Sequence, residues 1–128
     1  MQRFLTGFRP HLLLTLICLA LYLPGFFTLP PMDRDESRFA QASKQMIESG
    51  DLVDIRYSTG SRYNKPVGIY WLQSAATKIA GTPPYNRIWT YRLPSLLGGL
   101  IAIFFVYWCG LAFASPPTAL LGAALMAV

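Results

Sequence analysis

Residues 12–29, LLLTLICLALYLPGFFTL, pass without a charge, and residues 93–114, LPSLLGGLIAIFFVYWCGLAFA, do the same further along the chain. At ~1.5 Å per helical residue each run approaches the ~30 Å of a bilayer's hydrocarbon core. A charge at the centre of such a helix costs roughly 2.5–3.5 kcal/mol on insertion scales, and neither run carries one. The two runs are therefore read as transmembrane helices, over residues 12–31 and 93–114. Composition agrees, because 53% apolar and 13% charged residues depart from the ~25% charge of soluble domains. The expected fold class is an all-α membrane protein.

Flanking features orient and bound these spans. Arg3 and Arg9 precede the first run, and short basic flanks favour the cytoplasm, so residues 1–11 are expected inside and residues 32–92 outside. A cleaved signal peptide also pairs a basic start with an apolar run, but residues 23–31 lack a small-x-small cleavage site. Pro24 is expected to kink the first helix. Gly98, Gly99 and Gly110 make room for a close helix neighbour on the second. Ser115-Pro116-Pro117 breaks that helix, and a third apolar run over residues 118–128 falls short of the ~20 residues a span needs. It is read as the start of a truncated third transmembrane helix, and the chain as the amino-terminal part of a larger polytopic protein.

Several function classes drop out at this point. The formal charge of +5 would suit a nucleic-acid binder, but the cations are interleaved with acids and form no basic run or binding motif. Cys18 and Cys109 lie inside apolar runs without metal-type spacing and read as small hydrophobes. His11, at the cytoplasmic edge of the first span, reads as an interfacial residue.

The segment over residues 32–92 is far longer than a helix connection requires, which marks it as functional or disordered. Phe39, Met46, Ile47, Ile69, Tyr70, Trp71, Leu72 and Ile79 supply apolar surface to bury, which argues for order. A helix is predicted over about 36–49, with Asp35 as N-cap, capping-box spacing between Asp33 and Glu36, and Gly50 as terminator. Phe39, Ser43, Met46 and Ile47 share one face of it, giving an amphipathic helix suited to the membrane interface. An extended piece over 51–57 and a turn over 58–61 follow. A second interfacial helix is predicted over about 66–80, with Pro66 at its first position and Tyr70 and Trp71 as interface aromatics.

The polar island at residues 33–40, DRDESRFA, with Arg62-Tyr63-Asn64-Lys65-Pro66 downstream, holds the candidate chemistry. Each charge also has a plain structural role. Asp35 serves as a cap worth ~1 kcal/mol, Glu36 complements the helix dipole, Arg38 is a solvated or snorkelling cation, and Lys65 marks the interface. The sharper reading rests on arrangement: acids at one helix start and a cation before a second helix, both on one membrane face.

Three spaced blocks carry a family resemblance: Asp35-Glu36-Ser37-Arg38-Phe39-Ala40; Met46-Ile47-Glu48-Ser49-Gly50-Asp51-Leu52; and Arg62-Tyr63-Asn64-Lys65-Pro66 leading to Tyr70-Trp71-Leu72. Together they resemble the first extracytoplasmic loop of the bacterial polyprenyl-phosphate-sugar-dependent glycosyltransferases. That group includes the protein O-mannosyltransferases and the aminoarabinose transferases that modify lipid A. The resemblance implies a C-type glycosyltransferase fold, seated in the bacterial cytoplasmic (inner) membrane as a multi-pass protein with its first loop periplasmic. It implies inverting transfer of a sugar from a polyprenyl-phosphate carrier to a lipid, glycan or protein acceptor, with membrane lipid as a partner and no nucleic acid.

By the same resemblance Asp35 matches the essential acidic residue. For a hydroxyl acceptor it is apt as a general base; for an already ionised phosphate acceptor it positions substrate or stabilises positive charge developing on the sugar. Arg38 and Lys65 match positions that engage the carrier phosphate, where cations offset the charge of the departing group. Glu36, Arg62 and Tyr63 are supporting candidates. Many relatives carry Glu directly before the Lys-Pro pair, whereas this chain has Asn64, so no metal site is expected there; the sequence shows no required cofactor and leaves a divalent metal elsewhere open. The chain alone is expected to be inactive, having too few helices to enclose two substrates. The alternative is a small non-catalytic membrane anchor or scaffold with residues 32–92 as its binding surface.

Overall fold

The computed structural model describes residues 7–128, so Arg3 and the inside placement argued from it lie outside the described residues. Five helices account for most of it: α1 (Arg9–Phe26), α2 (Arg34–Ser49), α3 (Gly68–Ala80), α4 (Ile88–Phe113) and α5 (Pro116–Ala127). The sheet is confined to one small hairpin, β1 (Arg56–Tyr57) against β2 (Gly60–Ser61), antiparallel with Arg56 opposite Ser61. The protein is an all-α membrane protein. Both α1 and α4 are long and apolar enough to cross a membrane. At ~1.5 Å per residue they extend about 27 and 39 Å. The chain divides into two compact units, one ending at Gly25 and resuming over Ser95–Val128, the other Phe26–Pro94.

In the first unit α1, α4 and α5 share a core of Leu14, Cys18, Ile103, Tyr107, Ala119, Ala123 and Ala127. The small residues of α5 let it approach closely. A Cβ placed on Gly110 would stand 2.9 Å from that of Ala119, so this glycine is the contact that permits the approach, while Gly98 and Gly99 face open space. The Tyr22 hydroxyl donates to Ala127 O at 2.8 Å. Cys18 is buried as expected of a small hydrophobe, whereas Cys109 lies on an exposed face of α4. His11, near the start of α1, is held by named partners. Trp108 Nε1 donates to its Nε2 at 2.8 Å, and its Nδ1 lies 3.2 Å from Gly7 O. The rings of Phe104 and Tyr107 pack edge-on at 5.3 and 5.5 Å. That pattern assigns the ring proton to Nδ1.

In the second unit α2 packs on α3 and the hairpin. Ala42, Met46, Ile55 and Tyr70 form its core, with Phe39, Val67 and Ile69 against it. The amphipathic face of α2 is thus turned inward, and the apolar side chains left outward include Trp71, Leu72 and Ile79 on α3, Leu52 and Val53, and Phe27, Leu29 and Met32. Tyr70 is fully buried, and Trp71 is anchored by donating from Nε1 to Leu52 O at 2.7 Å. A buried polar seam completes the packing. Ser43 Oγ donates to Gln73 Oε1 at 2.8 Å, Gln73 Nε2 to Tyr91 O at 3.1 Å, and Thr77 Oγ1 to Thr90 Oγ1 at 3.0 Å. Every buried side-chain nitrogen and oxygen among the described residues has a partner, as burial of polar groups demands.

Element ends differ from the expected ones for local reasons. Asp33, and not Asp35, caps α2: it is extended (φ −114°, ψ 148°) and its carboxylate accepts from the Asp35 N–H. Gly50, at φ 74°, closes the helix in the left-handed region that suits glycine. The first backbone bond of α3 runs from Trp71 N to Val67 O, so the helix starts at Gly68, two residues after Pro66. Pro24 lies within the last turn of α1, which ends at Phe26, short of Pro31. The start of α4 precedes residue 93, because Thr90 turns back onto Arg87 O through both its N–H and its hydroxyl.

Candidate active site

Capping by Asp33 releases the Asp35 carboxylate from the helix terminus. It stands in the first turn of α2, half exposed, and two cations reach it. Arg62 Nη2 lies 3.6 Å and Arg38 Nη1 4.0 Å from the same oxygen, Oδ1. Both separations exceed a hydrogen bond, so Asp35 is charge-balanced without being saturated, and at this exposure such pairs contribute little to stability.

Arg62 reaches Asp35 because the hairpin returns the chain toward α2. Gln45 on α2 holds the turn at both ends of its amide, donating from Nε2 to Ser58 O at 3.1 Å and accepting from Ser58 N at 3.0 Å. Just past β2, the Arg62 N–H donates to Ile55 O at 2.7 Å. Its guanidinium then lies 5.6 Å from the Phe39 ring and 5.8 Å from the Tyr57 ring, with Nε donating to the Tyr70 hydroxyl at 3.3 Å. Only 12% of the side chain is exposed.

The other candidate residues are placed differently. Glu36 faces away from Asp35 into a clasp: Oε1 accepts from Arg92 Nε at 2.5 Å and Oε2 from Met32 N at 3.1 Å. The Arg92 guanidinium also donates to Phe26 O at 2.9 Å and Pro30 O at 3.2 Å. The hydrogen bond from Arg92 holds the Glu36 carboxyl below its ordinary range, against the opposing pull of partial burial. Tyr63 donates its hydroxyl to Asp54 Oδ1 at 2.5 Å, and Arg56 pairs with the other oxygen at 2.6 Å. Those two donors, Tyr63 first, lower the Asp54 carboxyl. Lys65 and Asn64 are exposed, and Lys65 makes no ion pair among the described residues. No three His, Cys, Asp or Glu side chains gather into a metal-binding group among the described residues.

The structure therefore brings Arg38 and Arg62 to Asp35, and turns Glu36 and Tyr63 to other partners. Arg92 and the cradle of Phe39, Tyr57 and Tyr70 escape a reading of the sequence. Glu36 lies 56 residues from Arg92 along the chain, and no helix or strand period joins Arg62 to Phe39, Tyr57 and Tyr70. The one available signal is chemical: Arg92 is a charge at the mouth of an apolar run, and such a charge needs a partner.

Comparison with known proteins gives a consistent group. The chain is 31% identical over 96 residues to the undecaprenyl phosphate-alpha-4-amino-4-deoxy-L-arabinose arabinosyl transferase of Yersinia enterocolitica, covering 70% of this chain and 16% of that protein. The transferase of the same name from Pectobacterium carotovorum is 28% identical over 118 residues, 87% of this chain and 19% of the relative. That of Aeromonas hydrophila is 29% identical over 93 residues, 67% of this chain and 16% of the relative. The chain thus spans less than a fifth of the length of these relatives, and it is homologous to this polyprenyl-phosphate-sugar transferase group over most of its own. No family model matches, and no solved structure matches.

Proposed function

We propose that this chain is the amino-terminal portion of an integral-membrane glycosyltransferase that moves a sugar from a polyprenyl-phosphate carrier to a lipid, glycan or protein acceptor outside the bacterial cytoplasmic membrane. The observation that carries the reading is Asp35, a half-exposed carboxylate beside two arginines, in a chain homologous to transferases that use such a carrier. A segment between two spans emerges on one side of a bilayer, and the basic flank at Arg9 favours the outer side for residues 32–92.

The chemistry follows from the charges. The bond between the sugar's anomeric carbon and the carrier phosphate oxygen breaks while an acceptor oxygen bonds to that carbon from the opposite face, inverting it. The departing polyprenyl phosphate takes the bonding electrons. Arg38 and Lys65 retain the exposure needed to meet it, and cations placed where charge develops lower the barrier. With a hydroxyl acceptor, Asp35 takes the proton. With an ionised phosphate acceptor no proton moves, and the carboxylate instead stabilises positive charge on the sugar.

The test uses the product of the complete gene in membrane vesicles, supplied with a panel of isoprenoid phosphate sugars and read for glycosylated product by mass spectrometry. Asp35→Asn should abolish transfer with membrane insertion intact, and Lys65→Ala should raise the donor concentration needed. Near-normal turnover by Asp35→Asn would remove the carboxylate from the chemistry.

A further inference from the structure

We infer that Arg62 is a positioning residue, whose charge, held in place beside the Asp35 carboxylate at 3.6 Å, orients that carboxylate for substrate. The inference rests on the reading of Asp35 as the reacting carboxylate and assigns Arg62 a role different from that of the other cations. Arg38 is 40% exposed and free to swing, and Lys65 is exposed without an ion pair among the described residues. Arg62 is neither. Its guanidinium lies over two rings, Phe39 at 5.6 Å and Tyr57 at 5.8 Å. One edge is committed to Tyr70 and Asp35, and its backbone is tied to Ile55 O. With 12% of its side chain exposed, this arginine offers little surface to a phosphate.

The consequence for Asp35 is directional. Both cations approach Oδ1, and of the two Arg62 is the more buried and more tightly partnered, so its charge gives the carboxylate a fixed electrostatic reference. A planar guanidinium locked by stacking and by a hydroxyl loses little freedom when it holds a carboxylate. Tyr70 is itself fully buried, which carries the rigidity of the core out to the site. Such a supporting residue acts on the rate of the chemical step, because misplacing a reacting group by about 1 Å costs up to ~100-fold. It does not act on how tightly the donor is held.

The experiment compares Arg62→Gln, Arg62→Lys and Tyr70→Phe with the parent in the complete gene product, measuring kcat and the KM for the lipid-linked donor. Arg62→Gln should lower kcat roughly 10- to 100-fold with KM within about two-fold. Tyr70→Phe, which keeps the ring and removes only the hydroxyl that steadies Arg62, should lower kcat several-fold in the same pattern. A raised KM with kcat preserved would overturn the inference and make Arg62 a phosphate ligand. Unchanged kcat and KM in a folded variant would overturn it too and leave Arg62 as a staple for the hairpin. If Arg62→Gln fails to accumulate, Arg62→Lys and Tyr70→Phe decide by the same criteria. Asp35→Asn, assayed alongside, separates the two levels. An active Asp35→Asn sinks the underlying reading, whereas an inactive one beside a normal Arg62→Gln sinks only the positioning role.

Discussion

Replacing Glu36 by Gln isolates the charge in the clasp that joins Met32, Glu36, Phe26, Pro30 and Arg92. The Glu36 side chain is 28% exposed and that of Arg92 15%, so water screens the pair only in part. Gln keeps the shape and one acceptor. A charge-assisted bond contributes about 1.5–3 kcal/mol and a neutral one about 0.5–1.5, so the change should cost ~1–2 kcal/mol. That corresponds to a 5- to 30-fold rise in local opening. Hydrogen exchange of the first-turn amides of α2 reads that opening directly. The sign with pH is set by the direction of the shift. Glu36 is held below its ordinary value of 4.5 in the folded chain. Its stabilisation is therefore complete above about pH 4.5 and is lost as pH falls through the lower folded value. The parent and Glu36→Gln should differ at pH 7 and converge once Glu36 is protonated. Equal exchange at pH 7, or a difference that persists undiminished in acid, would refute the reasoning.

Two further substitutions test the packing of each unit. Ser43→Ala strands Gln73 Oε1 in a buried seam and should cost about 1–3 kcal/mol, seen as a lower midpoint in thermal unfolding in detergent. Gly110→Val brings a branched side chain to a place where even a Cβ would lie 2.9 Å from Ala119. The resulting separation of α4 from α5 should cost about 1–3 kcal/mol, and cross-linking between cysteines placed on the two helices should fall.

Parts of the site were legible from residue order and parts were not, for a physical reason visible at particular positions. The motif around Asp35 and the sequence Arg62 to Pro66 could be found as local strings. The role of Asp35 as a cap could not be excluded locally, because Asp33 and Asp35 are both competent caps and only the backbone angles of Asp33 choose between them. Glu36 and Tyr63 looked like members of one cluster because they are near Asp35 and Lys65 in sequence. In space each is drawn off by a partner, Arg92 and Asp54 respectively.

The apolar runs by themselves determined the class of protein, since a long uncharged helix has a membrane as its natural surroundings, and the glycine and proline punctuation set the number of helices. What required tertiary structure was every pairing between residues distant in sequence: Arg62 in its cradle, Arg92 on Glu36, His11 against Trp108, and the inward turn of the apolar face of α2. Hydropathy and propensity act over a few neighbouring residues, whereas charge and hydrogen-bond complementarity act across whatever the fold brings within a few ångströms. Only the folded chain states which of several chemically suitable partners a given side chain meets.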